Sequence, residues 1–238
     1  MVDNAADVIR DLRKLGTPAK AKSSAWFFKT GPGQYGHGDI FIGVTVPEQR
    51  RIVSKYKDLP LSEVAVLLKS EVHECRLTGL LILVHQFTRS NERERERIVK
   101  MYLRYRARVN NWDLVDLSAP NILGTYLLTH DRTILYTFAR SKQLWERRIA
   151  IVATFALIRA GEYDDTLRMA ELLLADTHDL IHKAVGWMLR EVGKRSVSTE
   201  EKFLDIHAAH LPRTMLRYAI EKFPEHRRRA YLAKRMIQ

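Results

Sequence analysis

Asn110-Asn111-Trp112-Asp113-Leu114-Val115-Asp116 reads as the start of a helix, with Asn110 or Asn111 available to cap it. Trp112 and Asp116 stand four residues apart, so an aromatic plate and a carboxylate share one face. Asp113 lies about 100° round an ideal helix from Trp112 and is expected to point elsewhere, serving the first turn electrostatically. Taken alone, Trp-x-x-x-Asp is a weak signal, because buried aromatics and surface carboxylates are the commonest uses of both residue types. Its position within a repeat is what gives it meaning.

Arg76-Leu77, Trp112-Asp113, Arg148-Ile149 and Ala184-Val185 recur every 36 residues. Leu81, Leu117, Ala153 and Leu189 keep that register, as do Leu80, Asp116, Val152 and Met188. Such a pitch belongs to stacked helical hairpins. In this frame Asp116 stands where the other repeats have Leu80, Val152 and Met188, and Asp113 replaces Leu77, Ile149 and Val185. Acids in apolar slots break the structural code, and such breaks tend to be functional sites. In a curved stack the equivalent helices line one surface, so Trp112, Asp116, Arg148 and Trp187 are expected to converge on a concave face. Gly186, costly inside a helix, points to close approach by a neighbour or a ligand.

The rest of the chain is almost wholly helical in pattern. Helices are expected over 3–15, 18–28, 47–57, 61–69, 71–88, 92–109, 112–117, 120–129 and 131–140, then over 144–160, 164–174, 178–193, 199–209, 212–223 and from Pro224 to Met236. No convincing period-two strand run appears. Trp26-Phe27-Phe28-Lys29 places three aromatic rings in a row beside a cation, and three consecutive rings on a helix cannot all face one core. Gly31-Pro32-Gly33-Gln34-Tyr35-Gly36 matches G-x-G-x-x-G, but it follows a helix, contains proline and continues into His37-Gly38-Asp39. A dinucleotide fingerprint follows a strand and opens a helix, so this stretch is read as a structural loop. Arg93-Glu94-Arg95-Glu96-Arg97 alternates in charge as a solvated helix face does.

The 238 residues carry 40 lysines and arginines against 28 acids, a net charge of +12, and 46% of them are hydrophobic. That composition supports a packed core and favours polyanionic partners such as nucleic acid or an anionic membrane. Cys75, the only cysteine, allows no intramolecular disulfide and reads as a small buried hydrophobe. His178 and His182 have i, i+4 spacing, but no third ligand is evident, and they read as surface or packing histidines. Met1-Val2-Asp3-Asn4-Ala5 opens no signal segment, and the apolar runs at 80–84 and 149–153 fall far short of a membrane span. A soluble intracellular protein is expected.

At Phe27-Phe28-Lys29-Thr30-Gly31-Pro32-Gly33-Gln34-Tyr35-Gly36, Trp112-Asp113-Leu114-Val115-Asp116, Trp145-Glu146-Arg147-Arg148 and Lys183-Ala184-Val185-Gly186-Trp187, the chain resembles the AlkD family of DNA alkylation repair enzymes. These are bacterial glycosylases built from HEAT-like helical repeats, and the resemblance covers nearly the whole chain. It implies an all-α, curved solenoid of HEAT-like helical hairpins forming one glycosylase domain over residues 1–238. The implied activity is hydrolytic excision of cationic N3- or N7-alkylpurines from duplex DNA in base excision repair. By matching motif, Asp116 is implied as the catalytic carboxylate, Trp112 and Trp187 as aromatic walls, and Arg148 as a backbone or catalytic-site contact. DNA contacts are expected at Phe27, Lys29, Arg148 and Arg190. Phe27 stands where some members have tyrosine, keeping the ring and losing the hydroxyl. No cofactor and no metal is implied, and a monomer in the bacterial cytoplasm, associated with the nucleoid, is expected.

The chemistry agrees with the residues independently. An alkylated purine is already cationic and leaves readily, so the enzyme needs an anion near the sugar more than an acid for the base; Asp116 can supply that field and position water. The indoles of Trp112 and Trp187 can contact cationic nucleotide surfaces, and Arg148 can pair with phosphate. The family is understood to act on a lesion left in the stack, whereas most glycosylases extrude the base; nothing in this sequence decides between the two. The Trp112 to Asp116 motif lacks a lysine, which argues against a Schiff-base mechanism. The rival reading is a non-catalytic helical-repeat module that binds nucleic acid by charge, and a third is a protein-binding repeat scaffold.

Overall fold

The computed structural model describes residues 3–233. It divides into two compact units, with the boundary between Ser118 and Ala119. The first holds α1 (Ala5–Leu15), α2 (Pro18–Phe27), α3 (Val46–Lys55), α4 (Leu61–Lys69), α5 (His73–Arg89), α6 (Glu92–Arg104) and α7 (Trp112–Ser118). The second holds α8 (Thr133–Ala139), α9 (Leu144–Ala153), α10 (Phe155–Arg159), α11 (Asp164–Leu172), α12 (Asp179–Gly193), α13 (Val197–His207), α14 (Arg213–Ala219) and α15 (Glu225–Ala233). The fold is an all-helical repeat. Among the described residues, the pairing of Ile40 with Val72 is an isolated bridge of extended backbone, outside any strand.

Local chemistry sets the helix ends. Asn4 and Asp7 form a reciprocal capping box on α1, and Asn91 and Glu94 do the same on α6. His178 caps α12 by accepting from the Leu180 N–H, while His182 lies 2.5 Å from the Asp176 carbonyl. Both histidines therefore serve the helix start. No described helix is long and apolar enough to cross a membrane.

Several expected helices are interrupted. The segment after α6 closes as a separate 3-10 turn at Arg106–Arg108, and α14 ends in another at Ile220–Lys222. The expected helix over 120–129 is instead a single wide turn at Pro120–Gly124, where the Gly124 N–H reaches the Ala119 carbonyl at 2.8 Å. The expected helix over 144–160 breaks at buried Thr154, whose hydroxyl donates to the Ile151 carbonyl at 2.6 Å. That bond competes with the helical ladder, so α9 and α10 are separate. The last expected helix is observed as α15, and Met236 lies outside the described residues.

The 36-residue register places its four frames in α5, α7, α9 and α12. Leu77, Asp113, Ile149 and Val185 are all buried, so the apolar slot stays buried when it holds an acid. In the second slot Leu80, Val152 and Met188 are buried, whereas Asp116 is half-exposed.

In the second unit, α13 lays a carboxyl group against α12. Glu200 is 1% exposed, and its Oε1 has no hydrogen-bond partner among the described residues. It fits because residue 193 is glycine: a Cβ there would stand 1.6 Å from the Glu200 Oε2. Burial, then the neighbouring Glu201, pushes the Glu200 pKa up to about 8, with Arg190 opposing. The folded chain thus holds a proton that the unfolded chain releases above its ordinary pKa of 4.5, so stability falls as pH rises from there through about 8. Glu200→Gln keeps the shape and removes the titration. Because a buried amide also lacks partners at every pH, the expected gain at pH 8 is roughly 2 kcal/mol, giving way to a loss of about 1.5 kcal/mol near pH 5. Urea unfolding at the two pH values measures it.

Candidate active site

The site is built on the first turn of α7. Asn111, fully buried, accepts from the Trp112 N–H at 2.8 Å and donates to Asp39 at 3.1 Å. The expected asparagine cap is therefore Asn111, and it also ties α7 to the loop before α3. Trp112 is half-exposed and belongs to a cluster of rings in which Phe28, Phe41 and His73 all touch one another. It stacks on Phe28 (centroids 5.3 Å apart, planes at 25°), Phe28 stacks on Phe41 (5.0 Å, 13°), and Phe41 stacks on His73 (4.5 Å, 25°). Phe27 meets this cluster edge-on, 5.9 Å from Trp112 and 5.1 Å from Phe28.

The run Trp26-Phe27-Phe28-Lys29 divides as three consecutive rings must. Phe28 enters the ring cluster, while Trp26 and Phe27 stay 74% and 54% exposed. Lys29 is exposed, with its Nζ 4.9 Å from the centre of the Trp26 ring. The chain turns there with Lys29 at φ 55°, and the following glycine-rich loop folds back on the end of α2. Gly36 donates its N–H to the Lys29 carbonyl, and a Cβ at residue 36 would stand 2.3 Å from the Phe28 carbonyl oxygen. This loop is a structural connection that fixes the aromatic run.

Asp113 points away from the face of Trp112, as its place round the helix predicts. Its Oδ1 serves the first turn, accepting from the Leu114 N–H at 2.9 Å; the direction it takes is inward, where the side chain is buried and its Oδ2 binds His73 Nε2 at 2.8 Å. His73 Nδ1 faces Asp39 at 3.2 Å, and Arg76 donates to the other Asp39 oxygen at 2.6 Å. Burial opposes the charge on His73, but the Asp113 charge and its hydrogen bond, with Asp39, push its pKa up to about 9. Burial likewise opposes the charge on Asp39, yet His73, Arg76 and Asn111 hold its pKa down at about 2. One helical turn from Trp112, Asp116 is half-exposed. Trp112, Asp116 and Phe27 thus form a partly open surface backed by a buried ionic network.

Asp39 and His73 escaped the sequence reading. The legible signal was Asp113 in an apolar slot, since a buried acid requires a cation, but nothing in the sequence pairs it with a residue 40 positions away. Glu74 beside His73 is a further anchor. Its carboxylate accepts the backbone N–H groups of Ile42, Gly43 and Val44 at 2.8–3.2 Å, which holds the loop that carries Phe41.

In the second unit, Arg148 is 5% exposed and donates to the Leu180 carbonyl at 2.5 Å, holding the first turn of α12. Its neighbour Arg147 pairs with Asp176 at 2.5 Å. Trp187, half-exposed on α12, lies 5.8 Å from the Phe155 ring and donates its indole N–H to Glu191 at 3.3 Å. Arg159 and Arg195 both sit over Phe155, at 4.9 and 5.8 Å, so Trp187 belongs to a patch of rings and cations. Arg190 pairs with Glu221, and a phosphate there must compete with that carboxylate.

The sequence pattern of the DNA alkylation repair enzymes matches residues 8–223. Among solved structures, the chain is similar to a predicted DNA alkylation repair enzyme from Enterococcus faecalis, with a TM-score of 0.71 and 19% identity, over 88% of this chain and 97% of that one. At that identity the likeness speaks for the fold alone. No curated protein sequence matches the chain. Because the family pattern runs through both units and takes in the Trp112 and Asp116 turn, the chain belongs to the DNA alkylation repair enzyme family.

Proposed function

We propose that this protein is a DNA glycosylase that hydrolyses the N-glycosidic bond of cationic N3- or N7-alkylated purines in duplex DNA. The observation that carries the reading is the first turn of α7, where a half-exposed indole held by stacked rings stands one turn from a half-exposed carboxylate. A cationic purine needs little help as a leaving group. What it needs is a fixed negative charge where the sugar becomes an oxocarbenium ion, and a surface that keeps the nucleotide in register. Asp116 supplies the charge and orients water. Trp112, with Phe27 at its edge, packs on the deoxyribose, and Lys29 contacts phosphate.

Trp187 and Arg148 enter the reading through the family resemblance. The cations around Phe155 suit Trp187 to a place beside a phosphate backbone. Arg148 acts by holding the start of the helix that carries Trp187, since a direct phosphate contact requires its guanidinium to leave the Leu180 carbonyl. Arg190 contributes to DNA binding once Glu221 is displaced or screened.

The test is release of free 7-methylguanine and 3-methyladenine from methylated duplex DNA, with duplex binding measured in parallel across salt concentrations. Base release above the uncatalysed rate is expected, with affinity falling linearly in log salt. Salt-sensitive binding without release of either base overturns the glycosylase reading and leaves a binding module.

A further inference from the structure

We infer that His73 is a positioning residue for the candidate active site: clamped between Asp39 and Asp113, it fixes the first turn of α7 and, through Phe41 and Phe28, the plane of Trp112. Its effect on catalysis rests on the functional reading above. Its effect on Trp112 does not.

Three links carry the inference. First, both ring nitrogens of His73 face carboxylate oxygens, Asp39 at 3.2 Å and Asp113 at 2.8 Å. A neutral imidazole has only one N–H, so deprotonation turns a lone pair on one of these acids and breaks that contact. Second, the Asp113 carboxylate also caps the Leu114 N–H, so loosening its grip on His73 loosens the turn on which Trp112 sits. Third, the His73 ring packs on both Phe41, 4.5 Å away, and Phe28, 5.1 Å away, and Phe28 stacks on Trp112, so a cationic ring, attracted more strongly to aromatic neighbours than a neutral one, bears on the ring that carries the indole.

The surroundings explain why one proton matters. Asp39 faces His73 from the loop before α3, and Asp113 from α7. Arg76 and Glu74 lie on α5 itself, and Arg108, in the turn before α7, bears on Arg76. Phe28 and Phe41 close the remaining sides. The Glu74 carboxylate is held separately by backbone N–H groups, while His73 and Arg76 are the cations set directly against Asp39 and Asp113. Loss of the His73 proton leaves a buried net negative charge. A cavity of about 110 Å³, lined by Phe28, Phe41, His73 and Asp113 among others, gives the rings room to shift. The pKa of His73 is raised, so its contribution to stability is complete below its ordinary value of 6.5 and is lost as pH rises through about 9.

The experiment labels the full chain with 5-fluorotryptophan and follows the four 19F signals from pH 6 to 10.5, the Trp112 signal being assigned with Trp112→Phe. In the native chain the Trp112 resonance is expected to titrate near pH 9; in His73→Gln that step is absent. Single-turnover release of 7-methylguanine is expected to fall about tenfold across the same step, with duplex affinity unchanged, as misplacement of an aligned group does. The native titration needs no variant, so the test survives a His73→Gln chain that fails to fold. A Trp112 signal that does not titrate in a chain still folded by circular dichroism overturns the inference. If Trp112 titrates but no base is released at any pH, the glycosylase reading fails while the positioning by His73 stands.

Discussion

Asp116→Asn is expected to lower single-turnover base release by about 100- to 1,000-fold while leaving duplex affinity unchanged or slightly improved. Asparagine matches aspartate in shape, so the change removes one charge and little else. Glycosidic cleavage of a cationic purine places positive charge on the sugar only near the transition state, so the lost anion appears in the rate rather than in binding. Removing a carboxylate beside a polyanion also relieves repulsion, which is why affinity is not expected to fall. Asp113→Asn provides the contrast. Asp113 is buried on His73 and caps Leu114, so an amide there breaks the ion pair and lowers thermal stability together with activity. Release by Asp116→Asn equal to that of the native chain would move the central carboxylate away from Asp116.

The difference between these two aspartates shows what one sequence can disclose. The repeat register was legible because burial at fixed spacing leaves a pattern: Leu77, Ile149 and Val185 mark the slot that Asp113 occupies. The bounds of α4 came out as read, and most other helices came within a few residues. The break at Thr154 and the wide turn at Pro120–Gly124 were invisible, because apolar spacing continues through them while hydrogen bonds to Ile151 and Ala119 redirect the backbone. The ionic network was hidden for another reason. Asp39, His73 and Asp113 come from one loop and two helix starts separated by 34 and 40 residues, and no periodicity links them. Arg148 shows the converse. Its register position was clear, but its engagement with the Leu180 carbonyl depends on how α9 and α12 pack.

Gly186→Ala is expected to destabilise the second unit by about 3 kcal/mol, against the sign that helix propensity gives. In an exposed helix interior, alanine is favoured over glycine by about 1 kcal/mol. In α12 the added Cβ would stand 2.4 Å from the Met215 carbonyl oxygen and 2.5 Å from the Tyr218 Cβ, both belonging to α14. Neither atom can swing aside as the end of a long side chain can, so the two helices must separate. Met188, Leu189, Met215, Leu216 and Ala219 are fully buried along α12 and α14, and parting the helices loosens contacts that no local repacking restores. The close approach inferred from glycine in this helix is therefore made by a neighbouring helix. Urea unfolding at pH 7 decides the matter. A midpoint shifted down at unchanged slope confirms steric exclusion, whereas a midpoint shifted up shows that α14 does not lie against residue 186 and returns that surface to a ligand. Loss of base release in this variant cannot discriminate, because Trp187 is the next residue and moves with the backbone in either case.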